Sequence, residues 1–237
     1  MSQLAVQPSA QRLDENGRRR LIQVFGMYGI YAILLFVSAG TLRWWNAWAY
    51  LSLCILAILT GGLYVIRKAP AAVNERGRSS AKTKPFDKLF AALSLPLGLA
   101  SLVVAGLDFR FGWSSVPVWT QIVGFVGLLP GMIVPYWVMY HNAYAATTVR
   151  VETERGQHVI TDGPYRLTRH PLYSATILSY LFSPLAFASW WMGVPLVMLI
   201  GLFVWRTAKE DKTLLAELPG YADYAQKTRF RLLPGVW

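Results

Sequence analysis

Residues 163–173 read Gly-Pro-Tyr-Arg-Leu-Thr-Arg-His-Pro-Leu-Tyr and stand directly before a long uncharged run. The Gly-Pro pair predicts a turn, and the proline that follows His170 disfavours helix at that residue. The segment is therefore predicted to enter the next helix as a shaped loop, with Pro171 in the first helical turn. Helix-start amides beside Arg166 and Arg169 suit an anionic or carboxylate group. A basic loop that only fixes membrane topology is the alternative.

Arg206 and Glu210 are four residues apart, so a helix places them on one face. As an exposed pair they would contribute only about 0.3–0.5 kcal/mol to stability. The uncharged run 171–205 lies between this pair and the loop, and a tight helical hairpin would bring the two ends of that run together. We therefore expect one site at the cytoplasmic interface, formed by His170, Tyr173, Arg206 and Glu210.

The elements that carry these residues are predicted to lie in a membrane. The hydrophobic fraction is 54% and the charged fraction 15%, which does not suit an ordinary soluble domain. The run 171–205 is too long for one crossing and fits two short spans that turn near 188–193. We expect an all-α, polytopic membrane protein with about six membrane-embedded helices. Its first four spans, each long enough for a ~30 Å hydrocarbon layer, are predicted at 21–42, 44–66, 89–107 and 118–140.

The formal net charge of +11 is explained by topology. Almost all lysines and arginines lie in the N-terminal tail, between spans two and three, between spans four and five, and after the last span. Arg43 and Arg110 remain for the other side. The positive-inside rule then predicts that both termini and the active site are cytoplasmic. Contact with anionic lipid accounts for the excess charge, and no nucleic-acid-binding motif accompanies it.

The chain is predicted to have three parts. Residues 1–20 read as a flexible tail without a signal peptide. Residues 21–146 hold four transmembrane helices and a basic, irregular cytoplasmic loop at 67–88, for which lipid contact and substrate gating are both open. Residues 147–237 form the catalytic region. The single cysteine, Cys54, lies in the second span and excludes an intrachain disulfide.

Several common kinds of site are excluded by pattern. The three histidines, His141, His158 and His170, lack metal-ligand spacing and have no cysteine nearby, so no metal site is predicted. A Gly-x-Ser-x-Gly nucleophile elbow is absent. A Gly-x-Gly-x-x-Gly loop is absent as well, which excludes a soluble dinucleotide fold. Any nucleotide-like cofactor therefore needs a pocket of another kind.

The loop 163–173, the hairpin, the run Arg206-x-x-x-Glu210-Asp211 and the run Gly220-Tyr-x-x-Tyr224 together resemble the isoprenylcysteine carboxyl methyltransferase family. That family is grouped with phospholipid methyltransferases among integral-membrane methyltransferases. The resemblance rests on specific motifs in the C-terminal region. The earlier spans share only their general character as membrane spans with the family. Two departures are present: Asp211 stands where the family has a second glutamate, and the tail reads Leu-Pro-Gly-Tyr.

The resemblance implies S-adenosylmethionine as methyl donor, bound at the cytoplasmic end of the hairpin. It implies that Arg206 faces the substrate and is the catalytic residue, with Tyr224 as a second substrate-binding residue. A carboxylate acceptor is ionised at neutral pH and needs no base, so positioning and exclusion of water would carry the catalysis. The implied cofactor-binding residues are His158, Val159, Ile160, Tyr165, His170, Pro171, Leu172, Tyr173 and Glu210.

Other functions remain open at this stage. An amine acceptor, as in a phospholipid N-methyltransferase, would need a base, for which His170 and Tyr224 are the candidates. Sterol-type reductases, which use NADPH, are similar in this C-terminal region, although they have more spans. A non-enzymatic membrane scaffold is the third alternative. The expected partners are the lipid bilayer and a lipophilic or lipidated acceptor such as a prenylated cysteine, a phospholipid amine or an isoprenoid acid.

Overall fold

The computed structural model describes residues 12–237, and within that range the regular structure is helical, with no β-strand. A π-helical turn lies at Ile58–Gly62, and two 3₁₀ turns lie at Thr153–Arg155 and Gly163–Arg166. The α-helices are α1 Glu15–Ala39, α2 Trp45–Ala57, α3 Leu63–Lys68, α4 Pro70–Gly77, α5 Pro85–Phe111, α6 Val118–His141, α7 Pro171–Ala186, α8 Gly193–Glu217 and α9 Tyr221–Lys227.

Four stretches are long and apolar enough to cross a membrane: α1, the continuous Trp45–Lys68, α5 and α6. Large apolar side chains are exposed on their outer faces, as expected for surfaces that lie in lipid. These helices confirm the predicted class, a helical membrane protein. The helix that carries the first predicted span begins before that span, at Glu15. The side chain of Asp14 caps it by accepting the backbone N–H of Gly17 at 2.9 Å.

Residues 15–20 of the predicted N-terminal tail are therefore helical. Residues 1–11 of that tail lie outside the described residues.

The predicted hairpin is formed by α7 and α8, with its turn at residues 187–192. Ser189 in the turn donates to Asp108 Oδ2 at 2.5 Å, in the last turn of α5. At the opposite end, Arg206 of α8 pairs with Asp87 in the first turn of α5, with Nε and Oδ1 2.7 Å apart. Helix α8 thus runs alongside most of the length of α5, and it continues beyond Arg206 to Glu217, as predicted.

Glycines on α6 allow α7 to lie very close to it. A Cβ atom on Gly127 would stand 2.1 Å from the ring of Phe182, and one on Gly124 would stand 2.3 Å from the backbone nitrogen of Ala186. Small residues of this kind let membrane helices approach backbone to backbone. This contact fixes α7, and with it the loop that precedes α7.

The predicted irregular loop at 67–88 is partly wrong, because Pro70–Gly77 forms the helix α4. This helix packs against the start of α1: Asn74 accepts the backbone N–H of Asp14 and donates to the carbonyl of Arg12, each at 3.1 Å. A Cβ atom on Gly77 would stand 1.9 Å from the carbonyl oxygen of Asn16. Only glycine therefore permits this approach.

A cluster of charged side chains joins α4 to the segment that follows α6. Glu75 pairs with Arg78 at 2.8 Å, with Arg155 at 3.0 Å and with Arg150, while Arg78 also pairs with Glu152. Burial raises the pKa of Glu75, but hydrogen bonds from Arg78 and Arg150 outweigh burial and hold that pKa down to about 2. The 67–88 segment is thus fastened to the segment after α6.

Candidate functional site

A cavity lies at the end of the helical hairpin opposite its turn, and we call it the hairpin cavity. Its wall comes from the end of α6, the segment 142–160, the start of α7 and one face of α8 and α9. Every residue that the sequence resemblance implied for cofactor binding lines it, and so does Tyr224. Those residues are His158, Val159, Ile160, Tyr165, His170, Pro171, Leu172, Tyr173 and Glu210. Their placement is as expected, while their binding role stays a prediction.

The expected convergence around Tyr173 is present. Tyr173 Oη donates to Glu210 Oε2 at 2.6 Å, across the hairpin from α7 to α8. The ring of His170 stacks on that of Tyr173, with centroids 5.6 Å apart and planes 5° apart. The guanidinium carbon of Arg206 lies 4.9 Å from the same ring. Tyr173 is thus the centre of the cluster.

Glu210 brings a negative charge to the hairpin cavity. Among residues 12–237, no lysine, arginine or histidine nitrogen lies within 4.0 Å of its carboxylate. Its hydrogen bond from Tyr173 orients one oxygen without neutralising the charge. A partly buried carboxylate of this kind suits a cationic group or a pair of hydroxyl groups on a ligand.

Arg206 does not line the hairpin cavity, although it was predicted to face the substrate. Its Nε atom lies 2.7 Å from Asp87 Oδ1, and its Nη2 donates to the carbonyl of Thr147 at 3.1 Å. Its guanidinium also lies 4.4 Å from the ring of Phe90, in addition to its contact with Tyr173. Arg206 pairs with Asp87 rather than with Glu210, and it braces the back of Tyr173.

Asp211 organises the loop beneath the cavity. It is fully buried, accepts hydrogen bonds from Arg231 Nε at 2.8 Å and Tyr221 Oη at 2.9 Å, and lies 3.3 Å from Arg169 Nη1 and 3.4 Å from His170 Nε2. Burial raises the pKa of Asp211, but the hydrogen bonds from His170, Arg231 and Tyr221 outweigh it and lower that pKa below its usual range. The shorter side chain at this position therefore serves to hold the loop and the C-terminal tail together.

Tyr165 and Tyr224, the other two tyrosines predicted for the site, fix the 3₁₀ turn of the loop 163–173. Tyr224 Oη donates to the carbonyl of Tyr165 at 2.7 Å, and Asn142 Nδ2 donates to Tyr165 Oη at 2.7 Å. Burial raises the pKa of Tyr165 to about 12, and burial also raises the pKa of Tyr224. Both phenols are therefore neutral at pH 7. Because the proton of Tyr224 is engaged with a backbone carbonyl, this residue is placed to anchor the loop.

His158 presents a buried acceptor to the hairpin cavity. Its Nδ1 lies 2.9 Å from the carbonyl of Gly156, which assigns the proton to Nδ1 and leaves Nε2 as an acceptor. Nε2 is buried and has no hydrogen-bond partner among the described residues. A buried polar atom without a partner is costly, so Nε2 is suited to a donor on a ligand.

Sequence reasoning missed several residues of the cavity wall, among them Asn142, Tyr144, Leu214, Leu218 and Tyr221. Two signals were available in the sequence. Tyr221 belongs to the same Gly-Tyr-x-x-Tyr run as Tyr224, and Leu214 lies four residues after Glu210, on the same helical face. Asp87 could not be found in this way, because it is far from Arg206 in the chain and only the fold brings the two together.

Comparison with known proteins agrees with the geometry. Residues 122–216 match the model of the isoprenylcysteine carboxyl methyltransferase (ICMT) family, and no curated protein matches the chain. The matched segment contains most of α6, the segment 142–160, the loop 163–173, α7 and nearly all of α8, which together supply most of the residues that line the hairpin cavity. Residues 122–216 are therefore similar to the isoprenylcysteine carboxyl methyltransferase family, as residues 163–173 indicated; this similarity supports a methyltransferase, and the four apolar helices support a membrane protein.

Proposed function

We propose that the protein is an S-adenosylmethionine-dependent methyltransferase that binds this cofactor in the hairpin cavity and methylates the carboxylate of a lipophilic acceptor. The main support is two polar groups that line one cavity. One is the carboxylate of Glu210, which has no cationic side chain within 4.0 Å among residues 12–237, and the other is the buried Nε2 of His158, which has no hydrogen-bond partner among the described residues. They lie in the segment that matches a methyltransferase family. The cavity and both chain termini would face the cytoplasm.

The residues of the cavity fit S-adenosylmethionine by their chemistry. His158 Nε2 would accept from an amino group such as that of adenine, and Val159, Ile160 and Leu172 offer apolar surface to an aromatic ring. The carboxylate of Glu210 would pair with ribose hydroxyls or with the cationic end. Tyr165 supplies an aromatic ring for a sulfonium. When bound, the cofactor supplies an electrophilic methyl group, and the protein's own groups provide orientation.

The described contacts favour a carboxylate acceptor over an amine. Of the two candidate bases, Tyr224 donates its proton to a backbone carbonyl, and His170 directs Nε2 to Asp211 at 3.4 Å, which leaves only Nδ1 of that ring for a substrate. A carboxylate acceptor needs neither of them, because it is ionised at neutral pH. Arg206 and Asp87 would hold Tyr173, and Tyr173 would hold Glu210, so that catalysis rests on positioning and exclusion of water.

The hairpin cavity must open for a ligand of this size. Its volume is about 120 Å³, smaller than the ~300–1,000 Å³ of typical ligand pockets. Between Asn142 and Ile160 the only helix is the short 3₁₀ turn Thr153–Arg155. We expect this segment to move outward on binding and then to become more protected from hydrogen exchange.

The test is calorimetric titration of S-adenosylhomocysteine into the full chain in detergent, with NADPH titrated in parallel. We expect S-adenosylhomocysteine to bind and Glu210→Gln to weaken binding at least tenfold, because the variant loses charge and keeps the shape. Asp223→Asn is the matched control, since it removes an exposed carboxylate from neighbouring α9. Binding of NADPH alone would favour the reductase, and binding of neither by folded protein would favour the scaffold.

A further inference from the structure

The C-terminal tail, residues 228–237, follows α9 and lies outside the segment that matches the methyltransferase family. Three consecutive backbone carbonyls of the tail accept hydrogen bonds from the loop 163–173 and from the first turn of α7. The pairs are Arg169 N–H with the carbonyl of Phe230 at 2.9 Å, His170 N–H with that of Arg231 at 3.0 Å, and Ser174 Oγ with that of Leu232 at 2.7 Å. The tail is thus joined to the chain at the point where α7 begins.

The backbone of His170 is held on both sides of this point. Its N–H donates to the tail, and its carbonyl accepts the backbone N–H of Tyr173 at 3.0 Å. The rings of His170 and Tyr173 stack on each other, and both residues line the hairpin cavity. None of residues 228–237 lines that cavity. The tail therefore supports part of the cavity wall without contributing to it.

Leu232 carries this support into the protein interior. Its side chain is buried and belongs to the same apolar cluster as Tyr173, Ile177 and Phe203. The ring of Tyr173 is held in this cluster, while its hydroxyl donates to Glu210 at 2.6 Å. A smaller side chain at position 232 would leave a gap in the cluster. Tyr173 would then be held less firmly, and so would the carboxylate that it orients.

Arg231 pairs with the second of two adjacent carboxylates on α8. Glu210 faces the hairpin cavity, whereas Asp211 is fully buried. Arg231 Nε donates to Asp211 Oδ2 at 2.8 Å, and Arg169 Nη1 lies 3.3 Å from Asp211 Oδ1. Because a buried carboxylate needs cationic partners, these two arginines are engaged by Asp211. The charge of Glu210 is thereby left for a ligand.

The tail folds back on itself in a way that fixes the side chain of Arg231. The carbonyl of Trp237 accepts the backbone N–H of Arg231 at 2.8 Å and that of Leu232 at 3.0 Å. The guanidinium carbon of Arg231 lies 4.8 Å from the centre of a Trp237 ring, within the range of a cation–π contact. Arg231 is therefore presented to Asp211 in one orientation.

We propose that Arg231 and Leu232 are positioning residues of the hairpin cavity. Arg231 acts through Asp211, and Leu232 acts through Tyr173. Together they hold the loop 163–173 and the carboxylate of Glu210 in the arrangement that binds the cofactor. This inference rests on the proposed function, because it assigns the tail a part in that same site.

The first experiment is calorimetric titration of S-adenosylhomocysteine into variants of the full chain in detergent. We expect Arg231→Gln to weaken binding at least tenfold, because Asp211 loses one of its two arginine partners and the loop loses an anchor. Arg231→Lys keeps a cation beside Asp211 and should bind within threefold of the unaltered protein. Arg229→Gln is the matched control, since it removes the same charge from an exposed position of the same tail. Equal weakening by Arg231→Lys and Arg231→Gln would overturn the role of the charge at position 231.

Leu232 is tested by the same titration. Leu232→Ala should weaken binding at least fivefold, while Val236→Ala, which truncates an exposed apolar side chain of the tail, should leave binding unchanged. Unchanged binding in both Arg231→Gln and Leu232→Ala would refute the proposal.

Hydrogen exchange without ligand separates positioning from a general loss of stability. We expect residues 163–174 to exchange at least fivefold faster in Arg231→Gln and Leu232→Ala, with exchange in α5 and α6 unchanged, and saturating S-adenosylhomocysteine should restore the slow rate. Faster exchange throughout the chain would overturn the proposal, because the tail would then act on overall stability. Failure of the unaltered protein to bind S-adenosylhomocysteine would instead refute the proposed function, and the exchange rates would still report whether the tail holds the loop.

Discussion

The side chains around Tyr173 in the candidate site hold one another in place. Arg206 illustrates this, because its charge is neutralised by Asp87 and its guanidinium lies against the rings of Phe90 and Tyr173. Asp87 in turn accepts the backbone N–H of Val149 at 2.8 Å. One buried ion pair therefore joins α5, α8 and the segment that covers the hairpin cavity.

Removal of one partner from this ion pair should be more harmful than removal of both. We expect Arg206→Met to lower stability by about 3–5 kcal/mol, because it leaves Asp87 charged and buried. The double variant Arg206→Met/Asp87→Leu should recover a substantial part of that loss. The measurement is thermal unfolding in detergent, reported by a thiol-reactive dye at the buried single cysteine, Cys54.

An exposed arginine provides the control for this comparison of single and double variants. Arg229→Met removes a positive charge from an exposed site on the C-terminal tail and should change the midpoint little. If the double variant is as unstable as the sum of the two single variants, Arg206 and Asp87 do not act as a pair.

At the scale of the elements, the cluster of Glu75 and Glu152 makes the contact between α4 and the segment 149–157 depend on pH. The pKa of Glu75 is depressed to about 2, so its contribution to stability is fully present above its ordinary pKa of 4.5 and is lost as the pH falls toward 2. We expect the midpoint temperature of unfolding in detergent to decrease as the pH is lowered from about 4.5 to about 2. Glu75→Gln should lower the midpoint at pH 7 and flatten its dependence on pH.

The exposed Glu15 is the control for that measurement, because it is the first residue of α1 and is not part of the cluster. Glu15→Gln should leave the acid limb of the curve as it is in the unaltered protein. An acid limb that is equally steep in Glu75→Gln would contradict the assignment to this cluster.

The contact between α6 and α7 depends on the absence of a side chain at Gly127. Leucine at this position would overlap the ring of Phe182, and overpacking of this kind costs about 1–3 kcal/mol or more. Gly98 on α5 is a matched control, because a Cβ atom there meets no other atom within 4 Å. We expect Gly127→Leu to lower the unfolding midpoint clearly and Gly98→Leu to leave it nearly unchanged; similar midpoints would argue against close packing of α6 on α7.

The sequence predicts those elements whose signal is local and strong. Uncharged runs of sufficient length predict the spans, and the prolines at 85 and 171 stand at helix starts in the structure. The helix α4 was missed because its sequence is polar and short, and it gains stability from contacts with α1 rather than from its own composition. The motifs predicted ten of the 23 residues that line the hairpin cavity. The other lining residues, and the partners of Arg206 and Asp211, depend on long-range packing.

For the molecule as a whole, the number of membrane crossings depends on whether the α7–α8 hairpin spans the membrane. Only four stretches in the described chain meet the length and hydropathy expected of a span, and α7 has 16 residues. At ~1.5 Å per residue it is about 24 Å long, shorter than a ~30 Å hydrocarbon core. However, the turn at Ser189 lies beside the end of α5, and the far end of the hairpin lies beside the start of α5. This arrangement supports two further crossings.

Cysteine labelling in intact cells tests that topology. In a Cys54→Ala background, Trp191→Cys places a thiol at the exposed hairpin turn, and Lys227→Cys places one at the end of α9. With six crossings and a cytoplasmic site, a membrane-impermeant maleimide added outside should label the first and spare the second until the cells are opened. Arg43 lies between α1 and α2, on the side predicted to be external, so Arg43→Cys is the positive control. Labelling of position 191 only after the cells are opened would mean that the hairpin enters and leaves on the same side. The positive-inside distribution, in which Arg43 and Arg110 alone lie on the outer side, would then describe four crossings rather than six.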